Sequence, residues 1–401
     1  MARKSSLVLA PSYFPEEPSG AARLAYDLAR EFARNGYDTW LLTQAHNSHI
    51  RPYLIVDGLN VMRYYLKPSI GLDIFRHLRH IQAAKYLLEN YLERPPDIIH
   101  GNDLLLYIAA LRVYRYTSPL TCYSIHSPAV DELPIVWRSQ GLKGYLKIAF
   151  GLSTIRRYER TALTCSKKIE AKSSFTRDLV KFRYGHNISE RIRIIPGWVD
   201  GHRFAVLTKD QVREARQRLD WPNNSSVIFI LRRLETRMGL DTLLYSLATL
   251  KNEGFNFFVG IAGTGKEAES LQRQRRRLNL DSIVRFLGKI NEDILPLAYG
   301  ACDATIIPTR ALECFGIIAL ESMAAGRTTL VTPIGALPEL VKPFEPAWIA
   351  KGSSEEDITS LLRSFLLGEL PSHPAQAISE YAKKRYSFDQ ISRQYHDFLS
   401  I

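Results

Sequence analysis

Residues 304–326 read ATIIPTRALECFGIIALESMAAG. The run Ala304–Ile307 is apolar and β-branched, which is typical of a short strand buried on both faces of a parallel sheet. A polar loop follows, and Gly316 stands where a helix would open. Strand, loop and helix in this order form the repeating unit of α/β folds, so this segment predicts one such unit.

The same alternation extends over most of the chain, and it restarts after about residue 205. The predicted strands are Ser6–Ala10, Asp38–Thr43, Asp97–His100, Leu120–Ile125, Ala162–Ser166, Ile192–Ile195, Ser226–Leu231, Phe255–Ile261, Ile283–Leu287, Ala304–Ile307 and Thr329–Thr332. Helical stretches between them make βαβ crossovers. Two such series predict two Rossmann-like, doubly wound domains, and ligands of open α/β sheets bind beyond the carboxyl ends of the strands.

The domain boundary is expected near Pro196–Phe204, where glycines and an aspartate interrupt the pattern. The predicted domains are residues 1–200 and 201–385, facing each other across a cleft that would hold the ligands. A last helix, residues 386–401, carries an apolar stripe and is grouped with the first domain.

Composition excludes several classes of protein. The 401 residues carry a net charge of +12 and four cysteines, none of them in a CxxC pair, so neither a zinc site nor a disulfide framework is expected. The early apolar stretch Leu7–Ala10 is shorter than a secretory signal, and no apolar run reaches the ~20 residues that span a bilayer. A cytoplasmic protein is expected. Its basic charge favours anionic partners, but no nucleic-acid-binding module is recognisable.

Two glutamates flank the predicted helix start in the opening segment. Glu313 lies in the loop before Gly316, and Glu321 lies more than one turn inside the helix. Backbone N–H groups at a helix start attract anions, and nearby carboxylates can accept hydrogen bonds from sugar hydroxyls. Under this hypothesis the ligand-binding residues are Glu321 and five consecutive residues before it: Cys314, Phe315, Gly316, Ile317 and Ile318. In the alternative interpretation, Glu313 only places a negative charge near the helix start and Glu321 is an ordinary surface residue.

Three arginines follow the strand Ser226–Leu231. Arg232, Arg233 and Arg237 concentrate charge at a strand end, and the planar guanidinium binds phosphate through two oxygens at once. Ordinary surface arginines are the alternative. The next strand leads into a loop with Gly263 and Gly265, which permit close backbone approach to a nucleotide but also fit an ordinary turn.

Two further candidates lie in the first half of the chain. Gly20 opens a helix after a proline-containing loop, and its small size would admit a ligand at the helix start. His126 follows the strand Leu120–Ile125, where it could orient a sugar or serve a structural role. No Asp-x-Asp occurs, so a diphosphate would be stabilised by arginines and a helix dipole, without an obligatory metal or cofactor.

Together these segments resemble the GT-B glycosyltransferases of family 4, over nearly the whole chain. Glu313 and Glu321 match the E-x7-E signature of that family, and Arg233 and Arg237 match its basic pair. Further matches are Gly20-Ala-Ala-Arg23, Ile195-Pro-Gly-Trp198, Ile261-Ala-Gly-Thr-Gly-Lys266 and Val331-Thr-Pro-Ile-Gly335. The resemblance implies a GT-B fold, a nucleotide-diphosphate sugar donor bound by the second domain, and an acceptor bound by the first.

The resemblance also implies roles for single residues. Glu313 would contact the hydroxyls of the donor sugar and Glu321 the ribose, while His126 would bond the transferred sugar. Arg233 and Arg237 would neutralise the β-phosphate as it leaves, with retention of anomeric configuration. Glu313, His126, Arg233 and Arg237 are therefore the predicted catalytic residues, and the C-terminal helix is expected to pack on the first domain.

Two departures from the family pattern stand out. Arg232 occupies a position where glycine is common, so it either crowds the site or adds charge. His100-Gly-Asn102 replaces a frequent His-x-His, which suggests a different acceptor. Neither change removes a predicted catalytic charge, so an active enzyme is expected.

The predicted function is transfer of a hexose-type sugar to a glycan, glycolipid, lipid-linked or small-molecule acceptor. A phosphorylase or epimerase on the same fold is the first alternative, and a catalytically silent basic binding protein is the second. Residues 137–160 mix apolar and basic side chains. They form either a surface that binds an anionic membrane peripherally or a solvated helix that covers the core.

Overall fold

The computed structural model describes residues 3–17, 19–45, 47–67, 75–138 and 141–400. The chain divides into two compact units. The first is Met1–Pro196 together with Ser392–Ile401, and the second is Gly197–Ile391. Each unit contains its own sheet and its own cluster of buried apolar side chains.

The sheet of the first unit is mostly parallel. Its strands are β1 (Ser5–Ala10), β2 (Asp38–Ala45), β3 (Tyr53–Val56), β4 (Leu59–Tyr65), β5 (Ile98–Gly101), β6 (Leu120–Ile125), β7 (Lys168–Ala171) and β8 (Ile192–Ile194). They lie in the order β3-β4-β2-β1-β5-β6-β7-β8, and among the described strands only β3 and β4 pair antiparallel. All six residues of β1 are buried, as expected for a central strand covered on both faces.

Helices connect these strands. They are α1 (Gly20–Arg34), α2 (Arg76–Tyr91), α3 (Leu104–Val113), α4 (Ala129–Arg138), α5 (Leu142–Cys165), α6 (Ser174–Tyr184) and α7 (His186–Ser189). The hydroxyl of Ser19 caps α1 by accepting from the Ala22 N–H at 3.2 Å, which fixes where that helix starts. None of the described helices is long and apolar enough to cross a membrane.

The second unit has an all-parallel sheet. Its strands are β9 (Ser226–Leu231), β10 (Phe257–Ala262), β11 (Val284–Gly288), β12 (Ala304–Ile307) and β13 (Thr328–Val331), in the order β11-β10-β9-β12-β13. Its helices are α8 (Lys209–Leu219), α9 (Leu240–Asn252), α10 (Ala268–Arg277), α11 (Leu295–Ala301), α12 (Ile317–Ala324), α13 (Leu337–Val341), α14 (Glu355–Leu366) and α15 (Ala375–Tyr386). The last helix, α16 (Phe388–Leu399), begins in this unit and ends in the first.

Two α/β units with parallel sheets confirm the doubly wound prediction, and most strands lie within two residues of their predicted bounds. The predicted strand Ala162–Ser166 is wrong, because these residues form the end of α5 and the first residue after it. Ile155, Ala162 and Leu163 are buried at helical spacing, and a short apolar run alone cannot distinguish the two structures. The strand of this region begins later, at Lys168.

The hairpin of β3 and β4 was not predicted. Asp57 and Gly58 form its turn with positive φ values of 52° and 77°. An Asp-Gly pair between apolar runs is a hairpin signal in the sequence, so this element could have been found.

Candidate active site

The carboxyl ends of β9 and β12 bring Arg232 and Glu313 together. The two strands are neighbours in the sheet, so the residues that follow them reach the same edge. Nη2 of Arg232 donates to Oε2 of Glu313 and to the hydroxyl of Thr309. The two charged side chains are only 8% and 13% exposed, so the structure places a largely buried ion pair at the expected edge.

A second loop holds the backbone of Glu313 in place. The Ala336 N–H donates to the Glu313 carbonyl oxygen at 2.8 Å. Gly335 has φ +65°, and a Cβ there would lie 2.1 Å from the same oxygen. Only glycine permits this approach, so the segment after β13 positions Glu313 through its backbone.

Helix α12 starts directly after this loop, as predicted. Gly316 is its N-cap with φ +95°, and a Cβ there would lie 2.8 Å from the Leu337 side chain. Cys314 and Phe315 are buried, and Ile317 and Ile318 are partly buried. The first N–H groups of a helix have no intrahelical acceptor, so α12 directs backbone donors from this part of the loop.

Glu321 is not a solvated surface residue. It is 5% exposed, and its Oε2 accepts from the Tyr299 hydroxyl at 3.1 Å. Burial raises the pKa of Tyr299, and the nearby Glu321 carboxylate raises it further. Tyr299 therefore remains a hydrogen-bond donor, and the surface alternative for Glu321 is wrong.

The other two arginines differ in their surroundings. Arg237 lies in a 3₁₀ turn, Thr236–Met238, and its Nη1 donates to the Leu312 carbonyl oxygen at 2.8 Å. It therefore contacts the loop that carries Glu313. The side chain of Arg233 is exposed and makes no hydrogen bond or ion pair with any described residue.

The glycines after β10 have a packing role in this structure. Gly263 has φ +132°, and a Cβ there would lie 1.8 Å from the Arg232 carbonyl oxygen. A Cβ on Gly265 would lie 2.2 Å from the carbonyl oxygen of Leu234. Both glycines let the loop after β10 pack on the backbone of residues 232–234. This packing fits the alternative of an ordinary turn that was considered for them.

The remaining two candidates belong to the first unit. Gly20 is the first residue of α1. His126 directly follows β6, and its Nε2 lies 3.0 Å from Oδ1 of Asn102. That oxygen can only accept, so Nε2 carries the proton in this arrangement. Burial lowers the pKa of His126 to about 3, and the charge of Lys172 lowers it as well.

A buried ionic cluster behind His126 was missed in the sequence. Oε1 of Glu170 lies 3.0 Å from Nζ of Lys172 and 3.4 Å from Nε2 of His100. The Tyr395 hydroxyl, from α16, lies 2.6 and 2.7 Å from the two carboxylate oxygens and accepts from Lys172 at 2.6 Å. These four residues, His100, Glu170, Lys172 and Tyr395, are called the Glu170 cluster below.

Electrostatics explain how the Glu170 cluster tolerates burial. Burial alone would raise the pKa of Glu170, but the Lys172 ammonium, the adjacent His100 ring and the Tyr395 hydroxyl hold it well below its usual value. The carboxylate is therefore ionised and paired. Glu170 and Lys172 are charged residues in and next to a buried strand, and this was the signal available in the sequence.

Two protein-family models match the chain. The model described as Glycosyltransferase Family 4 matches residues 18–203. The model described as Glycosyl transferases group 1 matches residues 211–385. The chain thus belongs to the family 4 glycosyltransferases, which are enzymes with the GT-B fold.

Curated relatives agree with this assignment. An uncharacterized glycosyltransferase of Methanocaldococcus jannaschii is 24% identical over 338 residues, which cover 82% of this chain and 80% of the relative. A D-inositol 3-phosphate glycosyltransferase of Corynebacterium jeikeium is 29% identical over 215 residues. That match covers 49% of this chain and 51% of the relative, so it spans about half of each protein.

Solved structures share the fold. Sucrose-phosphate synthase from Thermosynechococcus elongatus superposes with a TM-score of 0.80 at 17% identity and covers 98% of both chains. The Anabaena protein HepE, in complex with UDP and glucose, superposes with a TM-score of 0.75 at 17% identity and covers 99% of both chains.

Proposed function

We propose that this glycosyltransferase moves a hexose-type sugar from a nucleotide-diphosphate donor to a glycan, glycolipid or lipid-linked acceptor, with retention and without an obligatory metal. The observation that carries the proposal is the loop from Leu312 to Gly316. It joins a carboxylate, an arginine contact and a helix start within a few residues. The complex of HepE with UDP and glucose supports a nucleotide-sugar donor.

In this proposal the second unit binds the donor. Arg237 and the first N–H groups of α12 stabilise the negative charge that develops on the leaving diphosphate, and exposed Arg233 is free to turn toward it. Such preorganised donors are each worth about 3–4 kcal/mol of transition-state stabilisation. Glu313 accepts from hydroxyls of the donor sugar, and positioning accounts for most of the remaining rate.

His126 acts as a neutral group in this mechanism. Its Nε2 proton is held by Asn102, and its low pKa keeps the imidazole uncharged near neutral pH. It therefore orients the transferred sugar by hydrogen bonding and does not act as a cation.

A panel of nucleotide sugars tests the donor proposal. A bound donor should raise the melting temperature, because it stabilises only the folded state. Glu313→Ala and Arg237→Ala should each lower transfer by about 10²–10³-fold with the fold retained by circular dichroism. Full activity in either variant would contradict the assigned roles. A phosphorylase would release sugar phosphate, whereas a transferase releases nucleotide diphosphate. Product analysis therefore distinguishes the two activities.

An acceptor carried by a membrane is favoured by the first half of α5. Four large apolar side chains are exposed there at spacings that place them on one side of the helix: Leu142, Tyr145, Leu146 and Phe150. Exposed Lys143 and partly buried Lys147 lie between them in the sequence. Exposed apolar side chains with basic neighbours suit the surface of an anionic bilayer, where the rings insert and ammonium groups meet lipid phosphates.

Vesicle sedimentation tests this association. Vesicles that contain phosphatidylglycerol should retain the wild-type protein at low salt and release most of Phe150→Ser. Phe182→Ser is the matched control, because Phe182 is also exposed (78%, against 66% for Phe150) but lies on α6. Equal retention of all three proteins would contradict a docking role for α5.

A further inference from the structure

Arg232 is fixed at the end of β9. Its N–H donates to the Ala262 carbonyl oxygen at 2.9 Å, and its own carbonyl lies against Gly263. The side chain therefore starts from a backbone position with little freedom. Its Nη2 then bonds Thr309 and Glu313, both on the loop after β12.

The contacts of this pair leave two polar groups unused. Oε2 of Glu313 accepts from Arg232 and also lies 3.4 Å from the Thr309 hydroxyl. No described residue donates to Oε1. Nε of Arg232 is buried and has no acceptor among the described residues. A buried guanidinium donor without a partner is costly, and in native proteins such a group calls for an explanation.

The charge of the Arg232–Glu313 pair indicates what kind of ligand group would bond the two unused polar atoms, Nε of Arg232 and Oε1 of Glu313. Arg232 is already balanced by Glu313, so the two side chains together are close to neutral. Phosphate would be attracted more strongly by cations that are not neutralised, such as exposed Arg233. One unused acceptor and one unused donor on the same ion pair suit two oxygens of a neutral, hydroxylated ring.

We propose that Arg232 is a specificity-determining residue that contacts the transferred sugar. Oε1 of Glu313 accepts from one sugar hydroxyl, and Nε of Arg232 donates to the oxygen beside it. The inference rests on the proposed function, since it requires a nucleotide-sugar donor. It adds a contact at a position where the resembled family commonly has glycine.

Binding measurements can isolate the sugar contact. Calorimetry with UDP-glucose, GDP-mannose, UDP and GDP gives the ratio of nucleotide affinity to nucleotide-sugar affinity for each protein. Arg232→Met should weaken binding of the preferred nucleotide sugar by about tenfold or more, as expected for a lost charge-assisted hydrogen bond. Binding of the matching free nucleotide should change less than about twofold. Equal weakening of both ligands, or of neither, would overturn the inference.

A double-variant cycle separates direct contact from an effect through Glu313. Glu313→Gln removes the charge that Arg232 balances, and the pair Arg232→Met with Glu313→Gln avoids an uncompensated buried carboxylate. If Arg232 contacts the sugar, its substitution still weakens sugar binding in the Glu313→Gln background. No further loss there would show that Arg232 only positions Glu313, and the specificity role would be wrong.

Arg310→Met is the matched control. Arg310 is paired with Asp241 at 2.9 Å and lies in the same loop as Thr309, but it bonds α9 and the 3₁₀ turn. It should leave the affinity ratio unchanged. If wild-type protein binds none of the nucleotide sugars, the proposed function itself fails and this inference falls with it. Normal wild-type binding with an unaffected Arg232 variant defeats only the inference.

Discussion

The Glu170 cluster in the first unit and the Arg232–Glu313 pair in the second both contain a buried charge pair, but their carboxylates differ in how many oxygens have partners. Both oxygens of Glu170 have partners, and the carboxylate is fully enclosed. Glu313 uses one oxygen and remains 13% exposed, and Arg232 retains an unpartnered buried donor.

This difference separates structural from ligand-binding roles. A carboxylate whose two oxygens both have partners within the protein gains nothing from a ligand, and its partners fix the elements that contribute to it. Here those elements are β7 and α16. A network with unused donors and acceptors is completed by a ligand. The comparison therefore predicts stability effects in the first region and binding effects in the second.

The largest expected effect is the loss of the Lys172 charge. Lys172→Met leaves Glu170 buried without its cation, and removing one partner of a buried pair lowers the free energy of unfolding by about 3–5 kcal/mol. Arg232→Met should cost less, about 1–3 kcal/mol, because the partly exposed Glu313 can hydrate. Urea denaturation of both variants measures the difference.

Lys181→Met is the control for this pair of variants. Lys181 is exposed on α6, so its substitution should change the free energy of unfolding by less than about 0.5 kcal/mol. If Lys172→Met is no more destabilising than this control, the Glu170 carboxylate does not depend on the Lys172 ammonium as their 3.0 Å separation indicates.

A smaller effect is expected from single hydroxyl groups. Tyr395→Phe removes a hydroxyl that serves both Glu170 and Lys172, and it should cost about 1.5–3 kcal/mol, as for hydrogen bonds to charged groups. Tyr299→Phe removes one longer bond, 3.1 Å, to the Glu321 carboxylate and should cost about 1.5 kcal/mol, the low end of the same range.

A third tyrosine provides the reference for both. The Tyr114 hydroxyl is buried and has no partner among the described residues, so Tyr114→Phe should be neutral or slightly stabilising. Thermal or urea unfolding of the three variants gives the order. A loss for Tyr114→Phe equal to that of Tyr395→Phe would show that these hydroxyls act through packing.

Much of the site around Arg232 and Glu313 could be predicted from the sequence, because apolar runs show where its strands end. Apolar runs located β9, β10 and β12, and parallel strands end at one edge, so Glu313, Gly316 and Arg237 were assigned to one site. The partner of Arg232 could not be predicted. Its contact with Glu313 spans 81 positions and depends on β9 lying beside β12.

The first region was harder to predict for the same physical reason. Tyr395 meets Glu170 across 225 positions, and no local pattern connects a C-terminal helix with β7. His126 was found because it ends a recognisable strand, whereas the residues that set its pKa lie on other strands. The prediction of a strand at Ala162–Ser166 was wrong because a short apolar run fits the periodicity of a helix as well as that of a strand.

The smallest expected effect, counted per pH unit, is a pH dependence of stability that belongs to His126. Its folded pKa of about 3 lies below the ordinary 6.5, so the unfolded chain takes up the proton first as pH falls. The resulting stability is complete above pH 6.5 and is lost as pH falls toward 3. Glu170 acts in the same direction, but only below its ordinary value of 4.5. Between pH 6.5 and 4.5 the His126 contribution should fall by about 1 kcal/mol per pH unit. The raised pKa values of Glu159 and Asp103 act in the opposite direction, so the effect is read as the difference between wild type and variant.

His126→Gln should flatten this part of the stability profile, measured by urea unfolding at several pH values. The groups that face the imidazole are Lys172, Glu170 and His100, and all of them remain in the variant. His186→Gln is the control, because His186 is exposed on α7, and it should keep the wild-type slope. An unchanged slope in His126→Gln would mean that His126 titrates as a solvated histidine. The assignment of a neutral imidazole to sugar binding would then be wrong. The surroundings of His126 would also be as open to solvent as those of the Arg232–Glu313 pair, which contradicts the contrast drawn between the two.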